Sequence, residues 1–442
     1  MNSHLDGDFL KSSKNGKNNF SINKLKENAR AFPGFIYFLF FAFSAYLVLP
    51  IINVPLLGLS ISAPILFIIA VPVFFKPPKP WFKQYQMWIF LAIAIFSGIF
   101  LSTIFNGITS FGLDFDSSGV KFLIRYLYWL IAFIVTVYFA SQGEVLKKLT
   151  AVLGWSVLIL ALLRWGEVLL LGNYIGAKGT RIFSQNNYGF LFSTFSSFLL
   201  VMIFQKKGSK RLLAILGNLV LWGAAAVNGS RGSWVSIAIG LGFMIILFFL
   251  QNPRKFFGLM TFILFAIALL GGLWVALPQA SSAIQARFET FQYLEQDKSI
   301  LIRELMVQKG LRLFKESPII GVGADRFKKE SIVLDIPRQL AFQSQEHYDA
   351  KSAHNSYIQF LAEFGLLGAI PFAILLLINA IQGTNTTLNE LRNDDVVPLA
   401  ILLSFIQMSV HMFAISSITN TLNWFIYGLV GAMIMTYKGA DV

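Results

Sequence analysis

The chain has 442 residues, of which 56% are hydrophobic and 13% are charged, and its formal net charge is +14. Apolar runs of about 20 residues recur along it, and each is long enough to cross a bilayer as a helix. A soluble globular fold is therefore excluded. The positive charge indicates loops that lie against anionic membrane lipid, and nucleic-acid binding is not expected. The absence of cysteine excludes disulfides and thiolate metal sites.

The apolar runs predict an all-α polytopic membrane protein with about twelve transmembrane helices. Residues 1–34 are polar and basic and predict a cytoplasmic tail, without the apolar core and cleavage site of a signal peptide. Residues 35–277 hold nine spans, residues 353–437 hold three, and residues 438–442 form a second cytoplasmic tail. The predicted spans are 35–53, 55–75, 86–106, 120–140, 149–171, 187–204, 212–227, 233–250, 256–277, 356–382, 397–417 and 421–437.

The distribution of basic residues predicts the orientation. Alternate loops carry basic clusters, such as Lys206, Lys207, Lys210 and Arg211, whereas the short loops on the other side carry few cations. By the positive-inside rule, the basic loops and both termini are cytoplasmic. The hydrophilic insertion at residues 278–352 then lies outside. In a bacterium this places a periplasmic loop domain between spans nine and ten of an inner-membrane protein.

The insertion contains a predicted helix over residues 299–316, which Pro318 ends. On a helical projection Arg303 falls within the apolar arc, whereas Lys309 and Arg312 fall on the polar face. An arginine in that arc either snorkels out of a core or faces an anionic ligand. We expect Arg312 to be solvated.

Two other outward loops bring a cation to the same side of the membrane. Arg231 lies in the sequence NGSRGSW, where the glycines permit tight turning and a serine such as Ser230 can cap the next helix. The exposed amides at a helix start favour an anion. Arg231 therefore either marks an interfacial loop or binds that anion. In the loop before span six, Arg181 lies near Asn187 among small and amide residues.

Charged residues within the predicted spans need partners, because unpaired charge in hydrocarbon is costly. Arg164 and Glu167 are three residues apart and are predicted to form a structural pair on one helix. Arg125 has no local partner, so it contacts a lipid phosphate, a neighbouring carboxylate or a ligand. We expect His411 to be an interior histidine and His347 to lie in the loop.

His354 and Asn355 form a lone polar pair where the insertion re-enters an apolar segment. Imidazole can take and return a proton near neutral pH. If Ser352 caps the following helix, the positive end of that helix favours the neutral imidazole that a base requires. The outer side shows no carboxylates with metal-binding spacing. The sequence therefore predicts a catalytic base at the membrane surface and neither a metal nor a cofactor.

Four segments in this order resemble the bacterial O-antigen ligase and polymerase superfamily. They are GTRIFSQNN, NGSRGSW, the stretch from Arg303 to LFKESPIIGVG, and AHNSYIQFLAEFGLLG. The resemblance runs over about residues 120–380, and the HN-x7-E-x-G-x-x-G pattern is its most specific element. It implies a GT-C-like fold and metal-independent transfer of a glycan from undecaprenyl pyrophosphate to lipid A-core. Polymerase relatives instead extend another lipid-linked glycan.

This chemistry suits the candidate residues. A departing pyrophosphate needs its developing negative charge stabilised, and the acceptor hydroxyl needs a base. An anion or bicarbonate transporter is an alternative, but it should carry polar residues through the bilayer midplane, whereas this chain concentrates them at the outer face. Catalytic roles are predicted for His354, Arg231 and Arg303, and substrate-binding roles for Arg181, Asn187, Ser230, Asn355 and Arg125.

Overall fold

The computed structural model describes residues 34–49, 62–75, 81–108, 117–142, 144–171, 183–276, 278–289, 297–417 and 420–438. Within these ranges the regular structure is entirely helical, with a 3₁₀ turn at Arg338–Leu340. The α-helices are α1 (Gly34–Val48), α2 (Ser62–Phe75), α3 (Trp81–Ile108), α4 (Ser117–Ala140), α5 (Glu144–Leu171), α6 (Gln185–Gln205), α7 (Gly208–Asn228), α8 (Arg231–Gln251), α9 (Pro253–Ala276), α10 (Pro278–Glu289), α11 (Lys298–Glu316), α12 (Gln345–Asp349), α13 (Ser356–Arg392), α14 (Val397–His411) and α15 (Thr421–Lys438).

A helix lies at each of the twelve predicted span positions, namely α1 to α9 and α13 to α15. Within the described ranges, seven of them are long and apolar enough to cross a membrane, and three further apolar helices are shorter. The chain is thus a multi-pass membrane protein. The number twelve, the orientation and the domain boundaries stay predictions. The seven long apolar segments are Tyr85–Asn106, Phe122–Ala140, Glu144–Leu171, Gln185–Gln205, Gly208–Asn228, Arg231–Gln251 and Ser356–Arg392.

Helix α6 occupies the centre of the bundle, and 89% of its most apolar window is buried. It packs against α5, α7, α8 and α14, while α15 packs against α4 and α13 packs against α3. The last three helices therefore intercalate with the first half of the chain. As a result, the first residues of α6, α8 and α13 and the last residues of α14 meet at one end of the bundle.

Polar contacts also run along the interior between α6 and α14. Ser193 Oγ lies 2.8 Å from His411 Nδ1, and one turn further along the helices Ser196 Oγ donates to Gln407 Oε1 at 3.4 Å. Such interhelical hydrogen bonds hold apolar helices together. Some polar side chains therefore also lie along the interior of the bundle, in addition to those that the sequence concentrates at its outer face.

The pairing of Arg164 with Glu167 is confirmed. Arg164 Nη1 lies 2.9 Å from Glu167 Oε2, and both side chains are buried, at 0% and 3% exposure. The Tyr188 hydroxyl donates to the other carboxylate oxygen at 2.9 Å. The pair therefore joins α5 to α6 and has the structural role that its spacing predicts.

The loop helix α11 begins and ends within one residue of its predicted bounds, but its polar face is not fully solvated. Lys309 is completely buried, and its Nζ donates to the Asp349 carbonyl at 2.9 Å and lies 3.3 Å from Asp349 Oδ1. Arg312 pairs with Asp335. Arg312 is solvent-exposed as expected, since its side chain is 37% exposed and that of Asp335 is 76% exposed. Lys309 lies on the same polar face but is buried, because Asp349, 40 residues further along the chain, folds back over it.

The loop attaches to α13 through a break in that helix. Gly365 has φ of +56°, which interrupts the helix and frees backbone groups on both sides. Gly321, in the turn after α11, also has positive φ, +68°. The amides of Val322 and Gly323 donate to the carbonyls of Ala362 and Glu363 at 3.0 and 2.9 Å. The break therefore finds its hydrogen-bond partners in the turn.

The attachment is reciprocal. The amides of Leu366 and Leu367 donate to the carbonyls of Pro318 and Ile319 at 2.8 and 2.9 Å. Ser102 of α3 adds a hydrogen bond from its hydroxyl to the Glu363 carbonyl at 2.8 Å. Gly365, the first glycine of the E-x-G-x-x-G pattern, thus lies in a backbone joint between the loop and the bundle, whereas Gly368 allows the close approach of Gly98 on α3.

Candidate functional site

Arg231 is the first residue of α8 and is almost buried, with 8% exposure. Ser230 lies at the capping position, although its side chain makes no capping hydrogen bond. The start of α6 touches this turn closely, since a Cβ on Gly189 would lie 2.5 Å from Ser230 Oγ. Arg231 Nη1 lies 2.9 Å from Asp297 Oδ2. Arg231 is therefore held between the bundle and the loop rather than placed on a free surface.

Asp297 connects the two elements that carry Arg231 and Arg303. It caps α11, because its Oδ1 accepts hydrogen bonds from the amides of Ser299 and Ile300 at 2.8 and 3.2 Å. Burial raises the pKa of Asp297, but Arg231 and the two amides outweigh burial and hold that pKa below its usual value. The sequence reasoning missed Asp297. An aspartate directly before a predicted helix start is a capping signal that identifies it.

Helices α11 and α13 pack against each other, and the charge of Arg303 on α11 acts on His354, which lies just before α13. Burial lowers the pKa of His354, and the charge of Arg303 lowers it further, ahead of Lys351 and Lys328. Both Arg303 and His354 are half-buried. The neutral imidazole is thus favoured, as the sequence predicts, but burial and neighbouring cations are the causes.

The backbone of His354 has an uncommon conformation. Its φ is +49°, in the left-handed region, where strained residues in functional sites are often found. Its amide donates to Ser416 Oγ at 2.8 Å. The preceding Ala353 is completely buried in the small core of the loop. His354 is therefore fixed on both sides by tertiary contacts.

Asn355, not Ser352, caps α13. Its Oδ1 accepts hydrogen bonds from the amides of Tyr357 and Ile358 at 3.0 and 3.1 Å. The expectation of a cap at Ser352 is wrong, because the chain turns into the helix only after the left-handed residue His354. Asn355 has this structural function, and its role in substrate binding stays a prediction.

His411 is buried beneath the start of α8, as expected for an interior histidine. A Cβ on Gly232 would lie 3.1 Å from His411 Nε2, so the imidazole packs beside the turn that carries Arg231. Arg303 also acts on His411 electrostatically. Arg231 contacts Asp297, which caps the helix that carries Arg303, and the segment after His411 holds the His354 amide through Ser416. Arg231, Arg303 and His354 therefore lie at the same end of the bundle, and we call this group the cluster.

The other predicted residues are placed differently. Asn187 lies at the start of α6, on the side of the cluster, and is exposed. Arg125 is exposed on α4, and none of the contacts described above involves it. Arg181 lies outside the described residues. His347 lies on the short helix α12 and is exposed, so it is separate from the cluster's buried histidines.

An open cleft of about 240 Å³ adjoins the cluster. Ser416, whose hydroxyl oxygen accepts the His354 amide proton, forms part of its wall. In the described part of the chain, no group of three or more histidine, aspartate or glutamate side chains is close enough to hold a metal ion. The cleft is lined by Asn187, Phe190, Ile415, Ser416, Ser417, Asn420 and Thr421.

Comparison with known proteins finds a match to one family over part of the chain. Residues 216–373 match the family model described as O-antigen ligase, which confirms the resemblance to that superfamily. The matched segment includes Arg231, Arg303, His354 and the glycine joint. An uncharacterized protein of Haemophilus influenzae is 23% identical over 202 residues, which are 44% of this chain and 49% of that protein. The match thus spans about half the length of that relative.

Proposed function

We propose that the protein is an O-antigen ligase-like glycosyltransferase. It moves a glycan from undecaprenyl pyrophosphate to lipid A-core at the periplasmic face of the inner membrane, without a metal ion. One observation carries the proposal. Two arginines and a histidine, Arg231, Arg303 and His354, come from three separate segments to the same end of the bundle, and all three lie in the segment that matches O-antigen ligase.

The arginines suit the leaving group. Guanidinium groups match phosphate oxygens with paired hydrogen bonds, and the first amides of α8 add partial positive charge. In this structure Arg231 binds the carboxylate of Asp297. This carboxylate occupies the place that a phosphate group of the donor would take. In the proposed reaction the donor pyrophosphate competes for Arg231, and the charge that develops on it is stabilised in a partly buried site.

His354 suits the role of base. Its lowered pKa keeps the imidazole neutral at physiological pH, so it can accept the proton of the acceptor hydroxyl. As that oxygen bonds to the sugar of the donor, the bond between the sugar and the pyrophosphate breaks. The proton passes to His354 and the pyrophosphate leaves with the lipid carrier.

A pair of histidine variants tests the assignment of the base. In purified protein, His354→Ala should reduce transfer by roughly 10²–10⁴-fold while leaving donor binding intact. His347→Ala is the matched control, because that histidine is exposed on the same loop and lies apart from the cluster. Wild-type turnover in His354→Ala would remove the catalytic assignment.

A deletion strain tests the reaction itself. Loss of glycan from lipid A-core, with accumulation of long lipid-linked chains, supports ligation. Loss of long chains with short lipid-linked units accumulating would instead identify a polymerase. An unchanged glycan profile would contradict both.

Single cysteines test the orientation, because the chain contains none. Ser299 and Ser209 are both exposed serines close to the start of a helix, on α11 and α7 respectively. With the outer barrier opened, an impermeant thiol reagent should label Ser299→Cys and not Ser209→Cys. The reverse pattern would place the cluster on the cytoplasmic side and exclude a periplasmic reaction.

A further inference from the structure

The cleft beside His354 differs chemically from the arginine cluster. Among the described residues, its walls carry two amides, three hydroxyls, one aromatic ring and one isoleucine, and none of these side chains is charged. Hydroxyls and amides both donate and accept hydrogen bonds, as the hydroxyls of a sugar do. The lining therefore favours a neutral, polyhydroxylated ligand.

The cleft lies between the elements that hold the proposed base and the proposed pyrophosphate ligand. On one side, Ser416 Oγ accepts the His354 amide proton and keeps its own hydrogen for a further bond. On the other side, Asn187 lies two residues before Gly189, which touches Ser230 next to Arg231. A ligand in the cleft is thus bounded by both halves of the candidate site.

The wall that follows α14 is held in a defined conformation. The Ser356 hydroxyl donates to the Ile415 carbonyl at 2.6 Å, and Asn423 Nδ2 donates to the Ser417 carbonyl at 2.8 Å. Asn420 Oδ1 accepts from the Leu422 amide at 3.1 Å. These bonds order the wall before any ligand arrives, which lowers the entropy cost of binding.

Asn187 is available to a ligand. Its backbone amide donates to Ser184 Oγ, but its side-chain amide makes no hydrogen bond to the described part of the chain. The side chain is also exposed at the rim of the cleft. An unengaged amide at the rim of a polar cleft is well suited to orient a sugar hydroxyl.

We propose that this cleft is the acceptor subsite and binds the sugar residue whose hydroxyl receives the glycan. The inference rests on the proposed function. The volume of about 240 Å³ is below the roughly 300–1,000 Å³ of typical small-molecule sites, so it suits a single sugar residue better than lipid chains. Donor and acceptor are then recognised by different chemistry, the donor by cations and the acceptor by neutral polar groups.

Kinetics with two acceptor-side variants test the proposal. With purified lipid A-core as acceptor, Asn187→Ala and Thr421→Val should each raise the acceptor KM by roughly fivefold to tenfold, because each removes hydrogen bonds made to the acceptor. The donor KM should change less than twofold. Asn186→Ala is the matched control, since Asn186 is the exposed neighbour that does not line the cleft. An unchanged acceptor KM in both cleft variants would overturn the subsite.

Chemical protection tests it without relying on activity. Asn187→Cys and Asn186→Cys each give one thiol in a cysteine-free chain. Lipid-free core oligosaccharide should slow maleimide labelling at position 187 and not at position 186. Equal protection at both positions, or at neither, overturns the subsite.

The two proposals fail in different ways. If the wild type transfers glycan to lipid A-core but the cleft variants and the labelling rates match their controls, the subsite is wrong and the glycosyltransferase proposal stands. If the wild type transfers no lipid-linked glycan, the glycosyltransferase proposal falls and the acceptor subsite falls with it. Slower labelling at position 187 would then mark only a sugar-binding cleft.

Discussion

The two ends of the segment at residues 353–368 differ in structure. At its start, His354 is half-buried, adopts an uncommon backbone conformation and experiences the charge of Arg303. At its end, Gly365 permits the backbone joint between the loop and α13, and Gly368 permits the close packing of α13 against α3. The HN-x7-E-x-G-x-x-G pattern therefore combines a histidine suited to proton transfer with glycines that the backbone geometry requires. This difference predicts that variants of His354 reduce glycan transfer without loss of stability, whereas variants of Gly365 reduce stability. Measuring transfer and stability separately tests it.

The largest effect should come from the joint. Gly365→Ala should lose most folded protein, because a side chain at φ of +56° costs about 1–3 kcal/mol and its Cβ would lie 2.5 Å from the Ile319 carbonyl oxygen. Yield and thermal stability in detergent measure the loss. Gly242→Ala is the control, since nothing lies within 4 Å of a Cβ there. Normal stability of Gly365→Ala would contradict the joint.

The two proposed anion ligands should give the next largest effect. Arg231→Lys and Arg303→Lys should each slow transfer by roughly 10–100-fold, because lysine keeps the charge but loses the planar fork. Combining them should cost less than the sum of the two free-energy penalties, as for groups that act on one ligand. Arg312→Lys, which alters an arginine paired with an exposed carboxylate, should transfer normally. Strict additivity of the first two would count against a shared anion.

Loss of the ion pair between Arg231 of the bundle and Asp297 of the loop should have a smaller effect, and this effect is on stability. Asp297→Asn keeps a capping side chain but removes the charge opposite Arg231, so it should cost about 1–3 kcal/mol at pH 7. The folded-state pKa of Asp297 is lowered, so its contribution is present above the unfolded pKa of about 3.9 and is lost as pH falls through the folded value.

Denaturation of wild type and variant at a series of pH values measures this. The difference in stability should shrink only below about pH 4. Asp335→Asn is the control, because that carboxylate is 76% exposed and exposed ion pairs contribute little. A stability difference that is equally large at the lowest pH would show that the charge of Asp297 is not its source.

The smallest effect concerns the pH dependence of transfer. The pKa of His354 is lowered by burial, Arg303 and Lys351, so the acid limb of the pH profile should lie below the ordinary value of about 6.5. Lys351→Gln removes one of these cations, so it should raise that pKa and move the acid limb of the pH profile upward. Lys315→Gln, an exposed cation at the far end of α11, should leave the limb in place. If Lys351→Gln leaves the acid limb unchanged, the group that titrates there is not His354.

Local spacing predicted several features correctly. Apolar runs determine where helices form, because every backbone group in a lipid environment must be satisfied within the helix. A helix therefore lies at each predicted span position. The Arg164 and Glu167 pair followed from their separation by three residues, and the loop helix ending before Pro318 followed from proline chemistry.

Only the tertiary structure decided which distant groups meet. Arg231 finds Asp297, which is 66 residues away, and Lys309 finds Asp349, which is 40 residues away, so neither burial nor pairing can be derived from a helical projection. The polar cleft likewise joins the start of α6 to the segment after α14. Periodicity gives the face of a helix on which a side chain lies, but packing among helices far apart in the chain determines what covers that face.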